Sequence, residues 1–318
     1  MENVKKEGLN TAHKEIPGNP SVATSSKAKL SDRSNGEPLR VLSEEDWKFW
    51  KENGYVIVRG VVPQEQVKKL ADYLWEYEGK DANDPETWYK TNLQMKMAEL
   101  NNTGMVEIYN HQYLWDNRQF PKVHQAFADI WGTEKLWVTI DRANLNFPIR
   151  SGHEYNGFIH WDYDPETRPQ NVQGVLALAD QNDENMGGFQ CIPELFRTYD
   201  TWKLTQPEDR NHFKPDTTGF EFDKVKMNAG DLLIFNSTQP HGIRPNNSKN
   251  KVRIAQYISM MPAEEENEEM RQWRINSWKN KYVPEGHAFP GDPLKRESEQ
   301  PVAELSDLGK KLLGLEKW

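Results

Sequence analysis

The sequence predicts a mainly β protein, a sandwich or small barrel with flanking helices, and three observations carry that reading. Apolar runs of strand length occur at 171–180, 230–235 and 251–258. The last of these alternates, with Val252, Ile254, Gln256 and Ile258 on one face and Arg253, Ala255 and Tyr257 on the other, the period of a strand. The third observation is an H-x-D pair, His160 and Asp162, answered 81 positions later by His241. Side chains two apart in an extended strand share a face, so His160 and Asp162 aim at one point. A strand from an opposite sheet is what brings His241 to meet them.

The elements follow in order. Residues 1–40 are rich in Lys, Glu, Ser, Asn, Gly and Pro, and no aromatic residue other than histidine precedes Trp47. Such a segment buries too little surface to offset its ordering entropy and is expected to be a mobile arm, with docking of its end on the body left open. Ser43 then caps a helix that ends near Gly54. Residues 55–62 form a strand, and Pro63 opens a helix whose stripe of Val67, Leu70, Ala71 and Leu74 faces the core. Residues 80–120 are less regular; Asn92, Gln94, Lys96 and Asn101 are candidates for substrate contacts, against a default of polar surface. Residues 136–140 and 143–148 read as strands, with Arg142, Asn144 and Asn146 on one face.

After the strand at 171–180, Gly187-Gly188 permits a tight reversal, and a hairpin from Val175 to Ile192 is expected. Residues 199–214 read as an insertion with a helical turn or two. The strand at 230–235 and the turn-prone stretch 236–240 put His241 at the end of a strand or just past it. An exposed helix followed by an irregular segment is expected over 263–283. A short amphipathic helix over 305–315, with Leu308, Leu312 and Leu315 on one side, would cover the barrel or contact a second subunit. The division is therefore an arm (1–40), a metal-bearing β domain with N-terminal helices (41–262), and a helical extension packed on it (263–318).

Composition narrows the function. A net charge of −9 over 318 residues and a pI near 5.5 give no footprint for nucleic acid. A mean hydropathy of −0.91 and the lack of an apolar run of spanning length point to a soluble protein without a membrane partner. The N-terminus lacks the apolar core of a secretory signal. The single cysteine, Cys191, excludes an internal disulfide, fits a cytoplasmic location, and is expected as a small buried apolar group. No feature sets the oligomeric state.

Two imidazoles and a carboxylate that leave metal positions open suit non-heme Fe(II) and the activation of O2; the bland alternative is a surface His and Asp on a strand edge. Arg253, 12 positions after His241, could grip the far carboxylate of a dicarboxylate co-substrate through two charge-assisted bonds, or form an ordinary ion pair. Gln173 is the polar exception in its strand. Its amide meets either the near carboxylate of a 2-oxo acid or backbone at the strand end. Tyr155, Phe158, Trp161 and Tyr163 flank the H-x-D pair as pocket or packing residues.

From about residue 42 to 262 the chain resembles the phytanoyl-CoA dioxygenase family of Fe(II)/2-oxoglutarate-dependent oxygenases. The resemblance runs through the opening strand after Asn53-Gly54, the H-x-D pair, residues 173–179, the Gly-Gly turn with Pro193, the strand at 230–235, His241-Gly242 and Arg253. It implies a double-stranded β-helix, or jelly roll, that uses Fe(II), O2 and 2-oxoglutarate and releases succinate and CO2. It implies His160, Asp162 and His241 as the catalytic iron ligands and Arg253 as the distal-carboxylate residue. Gln173 matches a position near the proximal carboxylate, and Asn146 lies in the region that feeds residues towards 2-oxoglutarate. Related halogenases replace the carboxylate by a small residue; Asp162 therefore favours hydroxylation of a small molecule. The chain departs from the family at Pro193-Glu194-Leu195-Phe196-Arg197, near the expected entrance, so no acyl-CoA substrate is implied. Two alternatives stand: a cupin-type metal enzyme that does not use 2-oxoglutarate, and a catalytically silent binding protein.

Overall fold

A computed structural model describes residues 28–89, 104–167, 171–286 and 289–318. Asn92, Gln94, Lys96 and Asn101 lie outside the described residues, as does the arm before residue 28. Six strands pair antiparallel in one sheet, in the order β1 (Tyr55–Val58), β8 (Leu232–Asn236), β5 (Val172–Ala177), β10 (Arg253–Tyr257), β4 (Ala143–Asn146) and β2 (Met105–Val106). A three-stranded sheet has the order β7 (Asp223–Lys224), β6 (Gly188–Cys191) and β9 (His241–Arg244). β3 (Leu136–Val138) pairs with β11 (Met260–Pro262), and β12 (Glu285–Gly286) with β13 (Phe289–Pro290).

The alternation along each strand of the large sheet separates two cores. Val56, Leu145, Leu176, Leu232, Ile234 and Ile254 turn outward and join Val67, Leu70 and Leu74 of helix α2 (Gln64–Tyr77) in the larger one. Gln256 shares this face, and its buried amide is satisfied by the Leu114 carbonyl at 3.0 Å and Asn117 Nδ2 at 2.9 Å. Tyr55, Val175, Ala177, Leu233, Phe235 and Ala255 turn inward against Phe189 and Cys191 of β6. The register Ala255↔Ala177 and Arg253↔Asn146 puts Arg253, Asn146 and Gln173 on this inward face.

Helix α1 (Glu44–Asn53) starts as the sequence predicts: Ser43 Oγ accepts from the Asp46 N–H at 3.0 Å, and Asp46 returns the bond to the Ser43 N–H. Several expectations are corrected. β1 stops at Val58; Val61 and Val62 are buried outside any strand, with the Val62 N–H on the Gly230 carbonyl, and Pro63 is the residue before α2 rather than its first. β5 and β6 form no hairpin, because the chain between them crosses from the large sheet to the small one. The stretch after Ile192 is helix α6 (Pro193–Trp202) with Pro193 in its first turn.

Residues 28–42 are docked rather than loose. Asp129 is 3% exposed, and its carboxylate accepts the backbone N–H groups of Arg40, Val41 and Leu42 at 2.8–3.0 Å. Asp129 lies on helix α5 (Pro121–Trp131), whose Ile130 carbonyl takes the Ser31 N–H. Before it come the short helices α3 (Pro85–Trp88) and α4 (Gln112–Arg118). Helix α7 (Glu268–Asn280) is not simply exposed: Met270, Arg274 and Ser277 are buried. Arg274 donates to the carbonyls of Leu312 and Leu313 at the end of α8 (Asp307–Leu313), where a cation opposes the negative pole of the helix. Among the described residues, no helix is long and apolar enough to cross a membrane.

Candidate metal centre

The structure brings His160, Asp162 and His241 together, one donor atom from each lying within 4.8 Å of the others. His241 opens β9 instead of closing a strand, so it enters the site from the small sheet. His160 belongs to no regular strand. It forms a single antiparallel bridge with His241, its N–H on the His241 carbonyl at 2.9 Å and the return bond at 3.0 Å. Gly242 permits this approach, since a Cβ there would sit 1.9 Å from the Phe158 carbonyl oxygen. Backbone pairing therefore sets two residues 81 positions apart side by side, their rings 4.7 Å apart.

Each donor is oriented. The Nδ1–H of His241 donates to the Gln239 carbonyl at 2.9 Å, which leaves the Nε2 lone pair facing Asp162 Oδ2 at 3.5 Å. Phe189 stacks on this ring and Phe235 tilts against it. Burial pushes the His241 imidazole down to about 4, so the neutral, metal-binding form is the resting one. His160 Nε2 lies 3.2 Å from Asp162 Oδ1, while its Nδ1 is buried with no hydrogen-bond partner among the described residues. Burial opposes ionisation of Asp162, yet His241, His160 and the Gln173 amide together hold its carboxyl well below the usual range. Two imidazole nitrogens and one carboxylate oxygen around a common point fit a divalent transition metal.

Arg253 is 0% exposed. Its Nη1 donates to Asn144 Oδ1 at 2.7 Å and reaches the Tyr257 hydroxyl at 3.4 Å. Its Nε and Nη2 are buried without a partner, and no acidic residue pairs with it among the described residues. A buried guanidinium with two unsatisfied donors is costly to hold and fits an anionic ligand. Asn146, opposite Arg253 in the register, also keeps a buried Oδ1 with no partner among the described residues. Gln173 does not bond backbone at the strand end: its Nε2 donates to Asp162 Oδ2.

Arg244 escaped the sequence reading. It is 2% exposed and donates to the carbonyls of Met186, Phe189 and Val225 at 3.0–3.1 Å. Burial, and then the nearby Arg253, push it down to about 10. Its signal was the glycine pair. A Cβ on Gly188 would lie 2.8 Å from Arg244 Nη2, and one on Gly187 2.3 Å from Asn146 Oδ1, so the pair makes room as well as a turn. Of the flanking aromatics, Trp161 is buried against Tyr199 and Trp202, while Phe158 is 49% exposed and lies 4.8 Å from the His160 ring, bordering both solvent and the site. Cys191 is buried as expected.

Comparisons with known proteins agree with this geometry. The chain is 27% identical over 244 residues to Ava biosynthesis cluster protein O of Aspergillus versicolor, covering 68% of this chain and 77% of that protein. It is 23% identical over 230 residues to the dioxygenase FUM3 of Gibberella moniliformis, covering 68% and 70%. Its fold is similar to the crystal structure of a hypothetical protein from Escherichia coli, with a TM-score of 0.61, 16% identity, and 89% and 86% of the two chains covered. The family model for phytanoyl-CoA dioxygenase (PhyH) matches residues 50–255, a span that holds all three metal-facing residues and Arg253, and the chain belongs to that family.

Proposed function

We propose that this protein is an Fe(II)- and 2-oxoglutarate-dependent dioxygenase that hydroxylates a small organic molecule and releases succinate and CO2. The observation that carries the reading is the coincidence of two features, one reached from the small sheet and one on the inward face of the large sheet. One is a His-Asp-His cluster with converging donors; the other is the buried Arg253 with two free N–H groups. The two facing antiparallel sheets are read as a double-stranded β-helix with this cluster between them.

In this reading His160, Asp162 and His241 hold the ion, and the ion supplies O2 activation. The rest falls to the chain. Arg253 receives the distal carboxylate of 2-oxoglutarate through Nε and Nη2, with Asn144 steadying Nη1. Asn146 stands beside that end of the co-substrate. Gln239 fixes the His241 tautomer, while Phe189 and Phe235 keep water from its ring. Phe158 borders the substrate side. A cupin-type enzyme without 2-oxoglutarate leaves the two free nitrogens of Arg253 without a role, and a silent binding protein has no use for the oriented donors.

The test is an anaerobic titration of the Fe(II) protein with 2-oxoglutarate. A visible metal-to-ligand charge-transfer band is expected, and O2 should then release succinate in proportion to the 2-oxoglutarate consumed. Iron binding without that band would sink the reading in favour of the cupin-type alternative.

A further inference from the structure

We propose that Gln173 is a positioning residue that keeps Asp162 a one-oxygen ligand, so that the remaining metal positions stay open for co-substrate and O2. The inference rests on the ferrous 2-oxoglutarate reading and deepens it. The two oxygens of Asp162 differ in their surroundings. Oδ1 meets only His160 Nε2, at 3.2 Å, whereas Oδ2 faces His241 Nε2 at 3.5 Å and also accepts the Gln173 amide. An oxygen already bonded to an N–H is a poorer metal donor than its free twin. Gln173 thus divides the carboxylate into a coordinating and a hydrogen-bonded oxygen.

The amide is held firmly enough to do this. Gln173 sits in β5 between β8 and β10, opposite Phe235, whose ring packs on His241. Asn171, the residue before β5, grips the adjacent residue too, since its Nδ2 donates to the Tyr163 hydroxyl at 2.7 Å. Two side chains two positions apart therefore fasten the consecutive residues Asp162 and Tyr163. The count of positions gives the arrangement its purpose. Three single-atom ligands on one face of an octahedral ion leave three positions. A chelating 2-oxo acid takes two and O2 one, and a carboxylate bound through both oxygens would remove one of these.

Gln173→Met keeps length and bulk but loses the donor. Co(II) reports coordination number through its visible absorption, with no turnover and no 2-oxoglutarate present. The variant should bind Co(II) within about threefold of wild type but with an altered band intensity. Its affinity for 2-oxoglutarate should fall about 10-fold or more, the equivalent of about 1.4 kcal/mol of lost binding. Tyr163→Phe, which removes the hydroxyl bonded to Asn171 and keeps Gln173 on Asp162, should leave the cobalt spectrum unchanged.

If Gln173 instead touched 2-oxoglutarate directly, the spectrum without co-substrate would match wild type while affinity fell, and the proposal would be overturned. A matching change in Tyr163→Phe would overturn it as well, by showing general loosening of the segment. The parent reading fails separately, if wild type binds Co(II) but shows no spectral response to 2-oxoglutarate.

Discussion

Replacing Arg253 by methionine should move two measurable quantities in opposite directions. The side chain is fully buried, with Nε and Nη2 unbonded. Binding of a carboxylate there makes two charge-assisted hydrogen bonds worth about 1.5–3 kcal/mol each. Even the lower figure for both gives about 3 kcal/mol, so Arg253→Met should weaken 2-oxoglutarate more than about 100-fold. The ligand-free protein should become more stable, because a buried charge without a counter-ion is replaced by an apolar chain. An unpaired buried charge is costly to hold, and the gain on removing it is offset by only about 1 kcal/mol for the lost bond to Asn144 Oδ1. The assay is thermal unfolding of the metal-loaded protein across a 2-oxoglutarate series. Wild type should be stabilised by about 2.7 kcal/mol at a hundredfold excess over Kd; the variant should start higher and respond little. Unaltered co-substrate affinity would refute the assignment of Arg253, and a lower starting stability would refute the claim that its charge is held at a cost.

Three other perturbations test the fold around the site. Gly188→Ala meets Arg244 Nη2 at 2.8 Å at a φ of +144°; a loss of about 1–3 kcal/mol is expected in denaturant unfolding. Asp129→Ala removes the acceptor for three backbone N–H groups, so limited proteolysis should cut faster between residues 28 and 42 while the remaining chain stays folded. His111 caps α4 through Nδ1 and stacks on Tyr73, and burial pushes it down to about 4 from an ordinary value near 6.5. The unfolded chain therefore binds the extra proton first. The contribution of His111 is complete above pH 6.5 and is lost as pH falls towards 4. In His111→Asn, which keeps a capping acceptor, the fall in unfolding midpoint across that window should be smaller than in wild type; equal falls would exclude His111 as the source.

The site was readable where chemistry is local in sequence. His160 and Asp162 announce themselves by spacing, and alternation groups Arg253 with Ala255 and Tyr257, which share its face in the structure. Helical periodicity also located the core, as Val67, Leu70 and Leu74 on α2 illustrate. What escaped is set by long-range pairing. Nothing in 175–192 tells that β5 and β6 belong to different sheets, because a hairpin and a crossover share the same turn residues. The amide of Gln173 was legible as needing a partner, but the choice of Asp162 depends on how the segment before residue 168 lies across β5. Arg244 reads as an ordinary surface cation until the glycine opposite it is known. The docking of residues 28–42 is invisible in composition, since a single aspartate on α5 holds three peptide groups whose side chains carry no signal.

The mutual backbone bonds of His160 and His241 have a consequence for how the protein is loaded. The spacing of the two rings is inherited from peptide pairing, so the cup should survive in apoprotein, and chelation should empty it without unravelling the sandwich. Ordering of these two donors is then settled during folding, and an incoming ion has little left to organise. Uptake of a divalent metal should accordingly demand little rearrangement of the chain.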